Sequence, residues 1–364
     1  MNLFNTFRKS GAARRKPRRA TGGARFLGRV RPSLEALEDR LAPASTITIT
    51  AGAVGTGSLD SFLSATDGTI RAEDGGSAAG TVSKGALEAV NAATDINVEA
   101  LASIAFNDLG TPLDLQTGVG HLARFIALNN SVSFANATNL IRTAGGDLRL
   151  EGPSSLTTPR IDTNGGALDI EAATVDLPQR VVSDGGTIQV SANILSIGGT
   201  LEAASGRVVI SSFDSMPINL GTETTGSLSL TDAEIDNIQA GVLQIGHGGA
   251  LTLTVSAAIT PANVNTLTLL SGATITDAAN GSLAVSRLRA AAANGVTLDS
   301  AANDVAALAG LTTTTGVAFV YRDATGFVID TVDGLAGITT RVPGNGSERI
   351  TLTAGGAVTQ TAGA

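Results

Sequence analysis

Five glycines recur at intervals of twenty residues in the middle of the chain. In each unit the second and fourth residues after the glycine are apolar, and the residues between them are mostly polar. This alternation is typical of a β-strand that buries one face. Because a unit of this length cannot enclose a core by itself, the units must stack on one another to bury their apolar side chains. The glycines are Gly146, Gly166, Gly186, Gly206 and Gly226.

The repeat predicts an all-β fold, a right-handed parallel β-helix with about 20 residues per coil. Further apolar segments, such as residues 173–177 and 193–197, indicate two or three strands in each coil. We expect the glycines at the corners, where the chain needs a positive φ or where two backbones approach closely. The spacing loosens after Gly226 but the strand patterns continue, so the solenoid is predicted to span residues 141–364.

The composition agrees with a thin and regular interior. Aromatic residues make up 3% of the chain and tryptophan is absent, so Val, Ile, Leu and Ala must fill the core. Stacked β-structures fill narrow interiors with ladders of such side chains. Cysteine is also absent, which excludes disulfides, thiolate metal sites and cysteine nucleophiles. We expect no cofactor.

Charge divides the chain into two parts. Eleven of the 24 lysines and arginines lie within the first 40 residues, together with three acidic residues, and the remainder carries 13 basic and 29 acidic residues. Residues 1–44 are predicted to be a basic leader that is disordered when free, because it lacks an apolar run that could be buried. A nucleic-acid-binding arm is the alternative. No Tyr or Trp is interleaved with the arginines and the acidic body would repel a duplex, so we expect no nucleic-acid partner.

The end of the leader carries a short amphipathic pattern. Leu34, Leu37 and Leu41 follow helical spacing, and a proline ends the pattern. Ala42 and Ala44 then give the small-x-small form that signal peptidases accept, which makes them a possible processing site. The segment lacks the apolar run of about 7–15 residues found in an ordinary secretory signal, and we expect no transmembrane segment.

Three segments resemble parts of two known families of surface proteins. Residues 31–44 resemble the leader, of pattern LExLExRxxPA, that precedes long β-rich repeats in many surface and secreted proteins of planctomycete bacteria. The run GSLSLTDAEIDNIQAGVLQIGHGGALTLTVSAAIT, within residues 221–276, resembles the repeat of filamentous-haemagglutinin-like surface proteins. Upstream, residues 86–146 resemble the segment that precedes such repeats. The second resemblance implies a right-handed β-helix that is exported and acts in adhesion.

These patterns divide the chain into three parts. The leader spans residues 1–44, an N-terminal region that caps the first coil spans 45–140, and the β-helix spans 141–364. A cap is expected because the open end of a β-helix presents unpaired strand edges. Residues 311–343 indicate a pair of longer strands that protrude from the stack. A further interpretation is that the body is one fragment of a much longer protein.

One acidic cluster is a candidate metal site. Asp232, Glu234 and Asp236 lie close together in sequence, and calcium is the ion that such oxygen ligands would take. The favoured interpretation is structural, because Thr231 with Glu234 forms the capping box of a short helix that Gly241 ends. We therefore expect no metal site.

Catalytic patterns are equally sparse. The two histidines, His121 and His247, are far apart in sequence, and neither has a partner at ligand spacing. Asp147, Asp169 and Asp184 are interpreted as turn residues at the repeat corners. A β-helical enzyme acting on polysaccharide would instead need at least three carboxylates and a cation that converge in a groove.

The sequence therefore predicts an exported, non-catalytic structural protein of the adhesin type, located at the cell surface or secreted. Its extended β-helix surface would bind a cell-surface or extracellular polysaccharide or protein. The alternative is a β-helical lyase or hydrolase that acts on polysaccharide. An uninterrupted outer surface of Thr, Ser and Asn favours the first function, and a groove with clustered carboxylates favours the second.

Overall fold

The computed structural model describes residues 46–63, 68–71, 74, 79–341 and 349–361. The predicted leader, with Ala42 and Ala44, lies outside the described residues. Within the compact unit Leu41–Ala364, parallel strands wind into a β-solenoid of about 11 turns. The predicted all-β parallel solenoid is confirmed.

Strands of two to six residues build the N-terminal half of the solenoid. They are β1 (Thr46–Thr50), β2 (Thr69–Ile70), β3 (Gly80–Ser83), β4 (Ile96–Ala100), β5 (Ser103–Phe106), β6 (Leu113–Gly118), β7 (Leu122–Ala127), β8 (Val132–Phe134), β9 (Leu140–Ala144), β10 (Asp147–Glu151), β11 (Ser155–Thr157), β12 (Arg160–Asp162), β13 (Leu168–Glu171), β14 (Thr174–Leu177), β15 (Val181–Val182), β16 (Ile188–Ser191), β17 (Ile194–Ile197), β18 (Leu201–Glu202) and β19 (Arg207–Ser211). A short 3-10 helix (Asp60–Phe62) and helix α1 (Lys84–Ala89) lie near its start.

The C-terminal half contains longer strands and one further helix, α2 (Asp232–Asp236). Its strands are β20 (Ile218–Leu220), β21 (Leu228–Leu230), β22 (Ile238–His247), β23 (Leu253–Val255), β24 (Ala258–Ile259), β25 (Val264–Ser271), β26 (Ile275–Asp277), β27 (Ser282–Ala292), β28 (Val296–Leu298), β29 (Asp304–Thr312), β30 (Phe319–Asp323), β31 (Phe327–Ile329), β32 (Thr331–Val332), β33 (Leu335–Ala336), β34 (Ile338–Thr340), β35 (Ile350–Ala354) and β36 (Val358–Gln360).

Each regular coil contributes one strand to each of three faces. Face A contains β10, β13, β16 and β19, face B contains β11, β14 and β17, and face C contains β12, β15 and β18. The strands of a face pair in parallel and in register. Leu148, Leu168, Ile188 and Val208 therefore stack in one column on face A, and each is at most 1% exposed. The apolar positions predicted from the alternation thus line the interior.

The ladders begin before residue 141, where the solenoid was predicted to start. On face A, β4 and β7 stack in register on the N-terminal side of β10, and on face B, β5 and β8 lie on the same side of β11. The first coil is covered by the 3-10 helix and α1, with Leu59 and Leu87 buried beneath them. The Asp60 carboxylate accepts hydrogen bonds from the backbone N–H and the hydroxyl of Ser83, at 2.7 and 2.6 Å. This buried contact holds the 3-10 helix against β3.

The regular coil is interrupted between β19 and β22. Arg207 stacks on Val242, which lies 35 residues later in the chain. The additional residues form β20, the loop 221–227, β21 and α2. On face B, β21 pairs with β20 and β20 pairs with β23, whereas β17 and β21 contact each other without forming a ladder. Face B therefore consists of two sheets that meet at this point.

The part of residues 311–343 that the structure describes, which ends at Arg341, does not form the expected pair of protruding long strands. β30 pairs with β28 on face B, and β31 pairs with β29 on face A, so both continue the ladders. The additional element is the antiparallel hairpin β32–β33, which turns at Asp333 and Gly334. Val332 of this hairpin is fully buried against Ala307 and Ala309, because the hairpin folds back over the outer side of face A.

Candidate functional site

Four of the five predicted corner glycines form one column at the corner between faces C and A. A Cβ atom on Gly166 would lie 2.1 Å from the carbonyl oxygen of Gly146, and one on Gly186 would lie 2.2 Å from that of Gly166. A Cβ atom on Gly206 would lie 2.8 Å from the carbonyl oxygen of Gly186. Each corner backbone passes directly over the previous one, so a side chain does not fit at these positions.

The glycine that precedes a column position has a different role. Gly165 and Gly185 have φ angles of 99° and 109°, and no atom lies within 4 Å of their Cβ positions. Before them, Asn164 and Asp184 adopt left-handed φ angles of 48° and 50°. In each Gly-Gly pair, therefore, the first glycine permits the turn and the second permits the close approach of two backbones.

Gly226 lies outside the column, so this prediction was wrong. Its φ is 83°, no atom lies within 4 Å of its Cβ position, and it belongs to the loop before β21 on face B. The next column position is taken by Gly241, whose Cβ position is 2.4 Å from the carbonyl oxygen of Ser205. Gly241 was predicted to end a helix, but it lies inside β22. The pattern around Gly226 predicts a strand correctly and carries no information on which face it joins.

Buried hydroxyl groups, not predicted from the sequence, line the same corner. In three successive coils a Thr or Ser hydroxyl donates to the carbonyl oxygen of the column glycine three residues later, at 2.6 Å. Each bond pairs a buried hydroxyl donor with a buried carbonyl acceptor, so neither group is left without a hydrogen bond. The signal in the sequence is a Thr or Ser three residues before the glycine. The donors are Thr143, Thr163 and Ser183.

The acidic cluster of Asp232, Glu234 and Asp236 does not converge on one point. Glu234 accepts a hydrogen bond from the Thr231 backbone N–H at 2.9 Å, and the Thr231 hydroxyl accepts one from the Glu234 N–H at 3.3 Å, as expected for a capping box. Asp232 accepts from the Thr260 backbone N–H at 2.6 Å, and Asp236 accepts from a different backbone N–H. Among the described residues, no group of three potential ligands is placed to hold a metal ion.

The two histidines lie at separate corners of the chain. Nδ1 of His121 is 3.1 Å from a carboxylate oxygen of Asp95, which also accepts a hydrogen bond from the Leu122 N–H. Nδ1 of His247 accepts a hydrogen bond from the Gly249 N–H at 3.0 Å. The His121 ring therefore contacts the neighbouring coil, and the His247 ring helps to fix a local turn.

An ion-pair cluster on face A was not predicted from the sequence. Arg149 lies 2.9 Å from Glu151, 3.2 Å from Asp169 and 2.9 Å from Glu171. The register creates this cluster, because Arg149 stacks on Asp169 and Glu151 stacks on Glu171. Asp169, interpreted as a corner residue, lies within β13 instead. The four side chains are between 27% and 34% exposed on the outer side of the sheet.

The cluster shifts the ionisation of its members. Burial raises the pKa of Asp169 and of Glu171, and the neighbouring charge of Glu151 adds to both shifts while Arg149 opposes them. Burial also opposes the charge of Arg149, but the three carboxylates outweigh it and raise its pKa. One guanidinium therefore pairs with three carboxylates. Because the carboxylates also repel one another, the cluster takes up a proton more readily than isolated carboxylates would.

A cleft of about 400 Å³ opens on the outer side of face B where its two sheets meet. Ile194, Leu195, Met216 and the loop residues 223–227 contribute to its lining. Ile194 is 64% exposed, because it points outward in the alternation of β17, and no described strand pairs with the far side of β17. The loop is held in place by a hydrogen bond of 3.0 Å from the Thr224 N–H to the Ser229 hydroxyl. The cleft is mainly apolar, with Glu223 supplying a carboxylate at its edge.

Both α-helices of the described residues fall short of the length and apolar character that a membrane-spanning helix requires. Three features of the described residues bear on function: the outer faces, the Arg149 cluster and the cleft on face B. Comparisons of the chain with protein-family models, with curated proteins and with solved structures found no match.

Proposed function

We propose that this chain is an exported, non-catalytic structural protein of the adhesin type, located at the cell surface or secreted. Its solenoid presents an extended surface to a cell-surface or extracellular polysaccharide or protein. The observation that carries this proposal is the ordered pairing of outward side chains from one coil to the next. Paired side chains form rows that repeat at the strand spacing of about 4.8 Å. An extended polymer that lies along the stack can therefore contact the same kind of surface many times.

Face C shows this pairing most clearly. Arg142 donates to the Asp114 carboxylate of the preceding coil at 3.0 Å. Arg180 donates two hydrogen bonds, of 2.8 and 2.6 Å, to Glu202 of the following coil. Two parallel bonds fix the orientation of both side chains. The face therefore offers fixed rows of polar groups, which suit many weak contacts that add up along a polymer.

A binding experiment tests this proposal. The purified chain is passed over immobilised extracellular polysaccharides and surface proteins, and retention is measured for the wild type and for variants of face C. We expect Arg180→Ala to weaken retention by about two- to five-fold, because contacts are shared among many coils. Thr187→Ala, an exposed change directly before β16 of face A, is the control and should leave retention unchanged. Complete loss of binding on replacing one residue would instead indicate a compact site.

Export is tested separately in the producing cells. Fractionation followed by N-terminal sequencing should find the protein in the envelope or the medium, beginning after Ala44. Ala44→Phe should block this processing because the peptidase accepts only small residues there, while Ala44→Ser should be processed normally. A cytosolic protein that still begins at Met1 would contradict the export proposal.

A polysaccharide-acting enzyme is the second candidate, and the Arg149 cluster is the observation that favours it. Three carboxylates and a cation meet there, and the raised pKa values of Asp169 and Glu171 are what a general acid requires. Each carboxylate already contacts Arg149, however, and the cluster lies on the outer side of a sheet. These two features favour an ion-pair network over a reaction site.

The same polysaccharides distinguish the two candidates. An enzyme would release new reducing ends or unsaturated products, and Asp169→Asn would abolish the release while Asp184→Asn, a change at an exposed corner, would not. The structural proposal expects no product from the wild type or from either variant.

A further inference from the structure

A second cleft, of about 390 Å³, lies at the corner between faces B and C. Its origin is a change in the length of this corner along the stack. Residues 107–112 join β5 to β6 and residues 135–139 join β8 to β9, whereas only residues 158 and 159 join β11 to β12. The two longer loops therefore extend past the shorter corner, and Arg160, the first residue of β12, lines the recess that they leave.

The lining of this corner cleft is mostly polar, unlike that of the cleft on face B. Asn136 fixes its own loop, because its side-chain oxygen accepts hydrogen bonds from the Thr138 N–H at 2.9 Å and from the Thr138 hydroxyl at 2.7 Å. The Asp108 carboxylate accepts one from the Gly110 N–H at 3.0 Å. Both loops are thus ordered in advance, which lowers the entropy lost when a ligand binds. The polar lining residues of the loops are Asp108, Thr111, Asn136, Thr138 and Asn139.

Arg160 differs from the two arginines that neighbour it on face C. Arg142 lies 3.0 Å from Asp114, and Arg180 lies 2.6 Å from Glu202. The exposed guanidinium of Arg160 forms no ion pair and no hydrogen bond with any residue that the structure describes. Its charge and its N–H donors are therefore available to a ligand.

The register of face C makes an unpaired Arg160 unfavourable. Ile161 stacks on Val181, so Arg160 lies directly opposite Arg180 of the following coil. Two like charges at opposite positions in a ladder destabilise the pairing. Glu202 offsets the charge of Arg180, and an anion bound to Arg160 would offset the other charge.

A smaller pocket of about 60 Å³ adjoins the cleft, since Leu140 and Arg160 line both. The carboxylate of Asp162 in this pocket is already engaged. It lies 3.9 Å from Nε of Arg142 and accepts a hydrogen bond of 3.1 Å from the Asn164 N–H. Positive charge exceeds negative charge here, although the body of the chain is acidic, so an anion is attracted to this part of the surface. The charged lining residues of the pocket are Arg142, Arg160, Asp162 and Arg180.

We infer that the corner cleft binds an acidic sugar unit, with the sugar carboxylate on the Arg160 guanidinium and the sugar hydroxyls on the polar groups of the two loops. This inference rests on the proposed binding of polysaccharide and narrows it to polymers of uronic acids. A guanidinium and a carboxylate can form two parallel hydrogen bonds, and hydroxyl and amide groups match the hydroxyls of a sugar. No aromatic residue is among those that line the cleft, whereas protein partners usually bind through aromatic anchors.

Tetrasaccharides of galacturonic acid and of mannuronic acid are the probes, since they carry the same carboxylate on rings of different configuration. Titration of the full chain, observed by NMR on the sugar, measures the dissociation constant. We expect a value on the order of 1 mM for the better of the two. The methyl ester of that tetrasaccharide keeps the hydroxyls and loses the charge, so it should bind at least five-fold more weakly. Acetate, which lacks the sugar, should also bind at least five-fold more weakly.

Two pairs of variants locate the site. Arg160→Gln should weaken binding of the better tetrasaccharide at least ten-fold. Arg322→Gln removes another exposed arginine, on β30, and should leave binding unchanged. Thr111→Glu adds a carboxylate to the cleft and should weaken binding at least five-fold, whereas Thr187→Glu makes the same change at an exposed residue of face A and should not. Circular dichroism establishes that each variant is folded.

The results separate this inference from the proposed function. If the chain retains neutral and uronic acid polymers equally, and Arg160→Gln retains both as well as the wild type does, the adhesive function stands and the acidic-sugar site is wrong. Tetrasaccharide binding by a chain that no immobilised polymer retains would support the site and contradict the adhesive function. The site is also wrong if neither tetrasaccharide binds at about ten times the expected dissociation constant, or if the methyl ester or acetate binds as tightly as the acid.

Discussion

The regular coils over residues 147–206 and the interrupted coil over residues 207–241 maintain the same corner column by different means. In the regular coils the strands of faces A and C stack on residues twenty positions later. In the interrupted coil, 35 residues separate Arg207 from its partner Val242. Gly241 nevertheless lies next to Gly206, because a Cβ atom on Gly241 would be 3.3 Å from the Gly206 carbonyl oxygen. The stack is therefore fixed by backbone contact at the corner, and the length of a coil is free to vary on face B.

The two regions also differ in the groups that pair with the backbone N–H and C=O of a face B strand. β14 and β17 pair through their backbones. At the interruption, side chains replace this pairing, because Glu234 accepts a hydrogen bond from the Ile197 N–H at 3.3 Å and the Asn237 amide donates to the Ile197 carbonyl at 2.8 Å. An added Cβ atom should therefore lower the free energy of unfolding most in the regular coils. At the interruption, the loss of a polar side chain should lower it.

The largest expected effect comes from Gly166→Ala in the regular column. The new Cβ atom would lie 2.1 Å from a backbone oxygen, so the free energy of unfolding should fall by at least about 3 kcal/mol. Gly226→Ala is the control in the interrupted coil, where only the positive φ is unfavourable and about 1–2 kcal/mol should be lost. Urea denaturation measures both losses. Equal losses would mean that the corner contact does not distinguish the two regions.

The hairpin β32–β33 connects the interrupted coil with β25, and Asp333 is its main contact. Its carboxylate pairs with Arg207 at the start of the interrupted coil and accepts a hydrogen bond of 2.7 Å from Thr268. Asp333→Asn should lower the free energy of unfolding by about 2 kcal/mol at pH 7. Asp184→Asn has the same left-handed backbone at an exposed corner and should change it by less than about 0.5 kcal/mol.

The pH dependence of this contact has a defined sign. Burial opposes the ionisation of Asp333, but hydrogen bonds from Arg207 and Thr268 outweigh it and lower its pKa below the ordinary 3.8. A lowered pKa in the folded state stabilises the protein above pH 3.8, and this contribution is lost as the pH falls further through the lowered value. The Asp333→Asn variant should therefore lose less stability than the wild type between pH 4 and pH 2. An identical acid transition in both proteins would contradict this role.

A smaller effect is expected for Asn237→Ala at the interruption. The change leaves the Ile197 carbonyl without the amide donor and should cost about 1–2 kcal/mol in the free energy of unfolding. Asn193→Ala next to β17 is the comparison. It removes two exposed hydrogen bonds with Asp214 and should cost less, because water can replace exposed bonds. If the free energy of unfolding falls more for Asn193→Ala than for Asn237→Ala, side chains do not replace the backbone pairing at the interruption.

The smallest effect concerns the Arg149 cluster in the regular coils. Asp169 is partly buried, its Oδ1 atom has no hydrogen-bond partner, and burial raises its pKa. A raised pKa in the folded state means that the contribution of Asp169 to stability increases as the pH falls through that value towards 3.8. Asp169→Asn should raise the free energy of unfolding at pH 7 by up to about 1 kcal/mol and flatten its pH dependence above pH 3.8. A clear loss of stability at pH 7 would show that Arg149 needs all three carboxylates.

The regular coils could be predicted from the sequence because one local pattern repeats. The column from Gly146 to Gly206 and the inward residues followed from spacing and alternation alone. Gly226 was misplaced because strands on every face share the same alternation, so Leu228 and Leu230 are buried as predicted but on face B. The interruption depends on which sheet accepts a strand, and that is decided by contacts between residues distant in sequence.

The candidate sites were less predictable for the same reason. The Arg149 cluster forms only after the register places Asp169 beside the arginine, so sequence spacing gave no indication of it. The hairpin at Asp333 and Gly334 did have a local signal, an Asp-Gly pair between short apolar segments, which is typical of a tight hairpin turn. Its position over face A depends on Arg207, which lies 126 residues away in the chain.

The most direct test of the stacking is the distance between nitroxide labels on introduced cysteines, which is clean because the chain has none of its own. Val209 and Gln244 are neighbours in the ladder across the interruption, so labels at these two positions should show strong dipolar broadening. Labels at Ser205 and Thr225, which are twenty residues apart, should show none. Broadening for the second pair and not for the first would mean that sequence spacing, and not the corner contact, sets the stack.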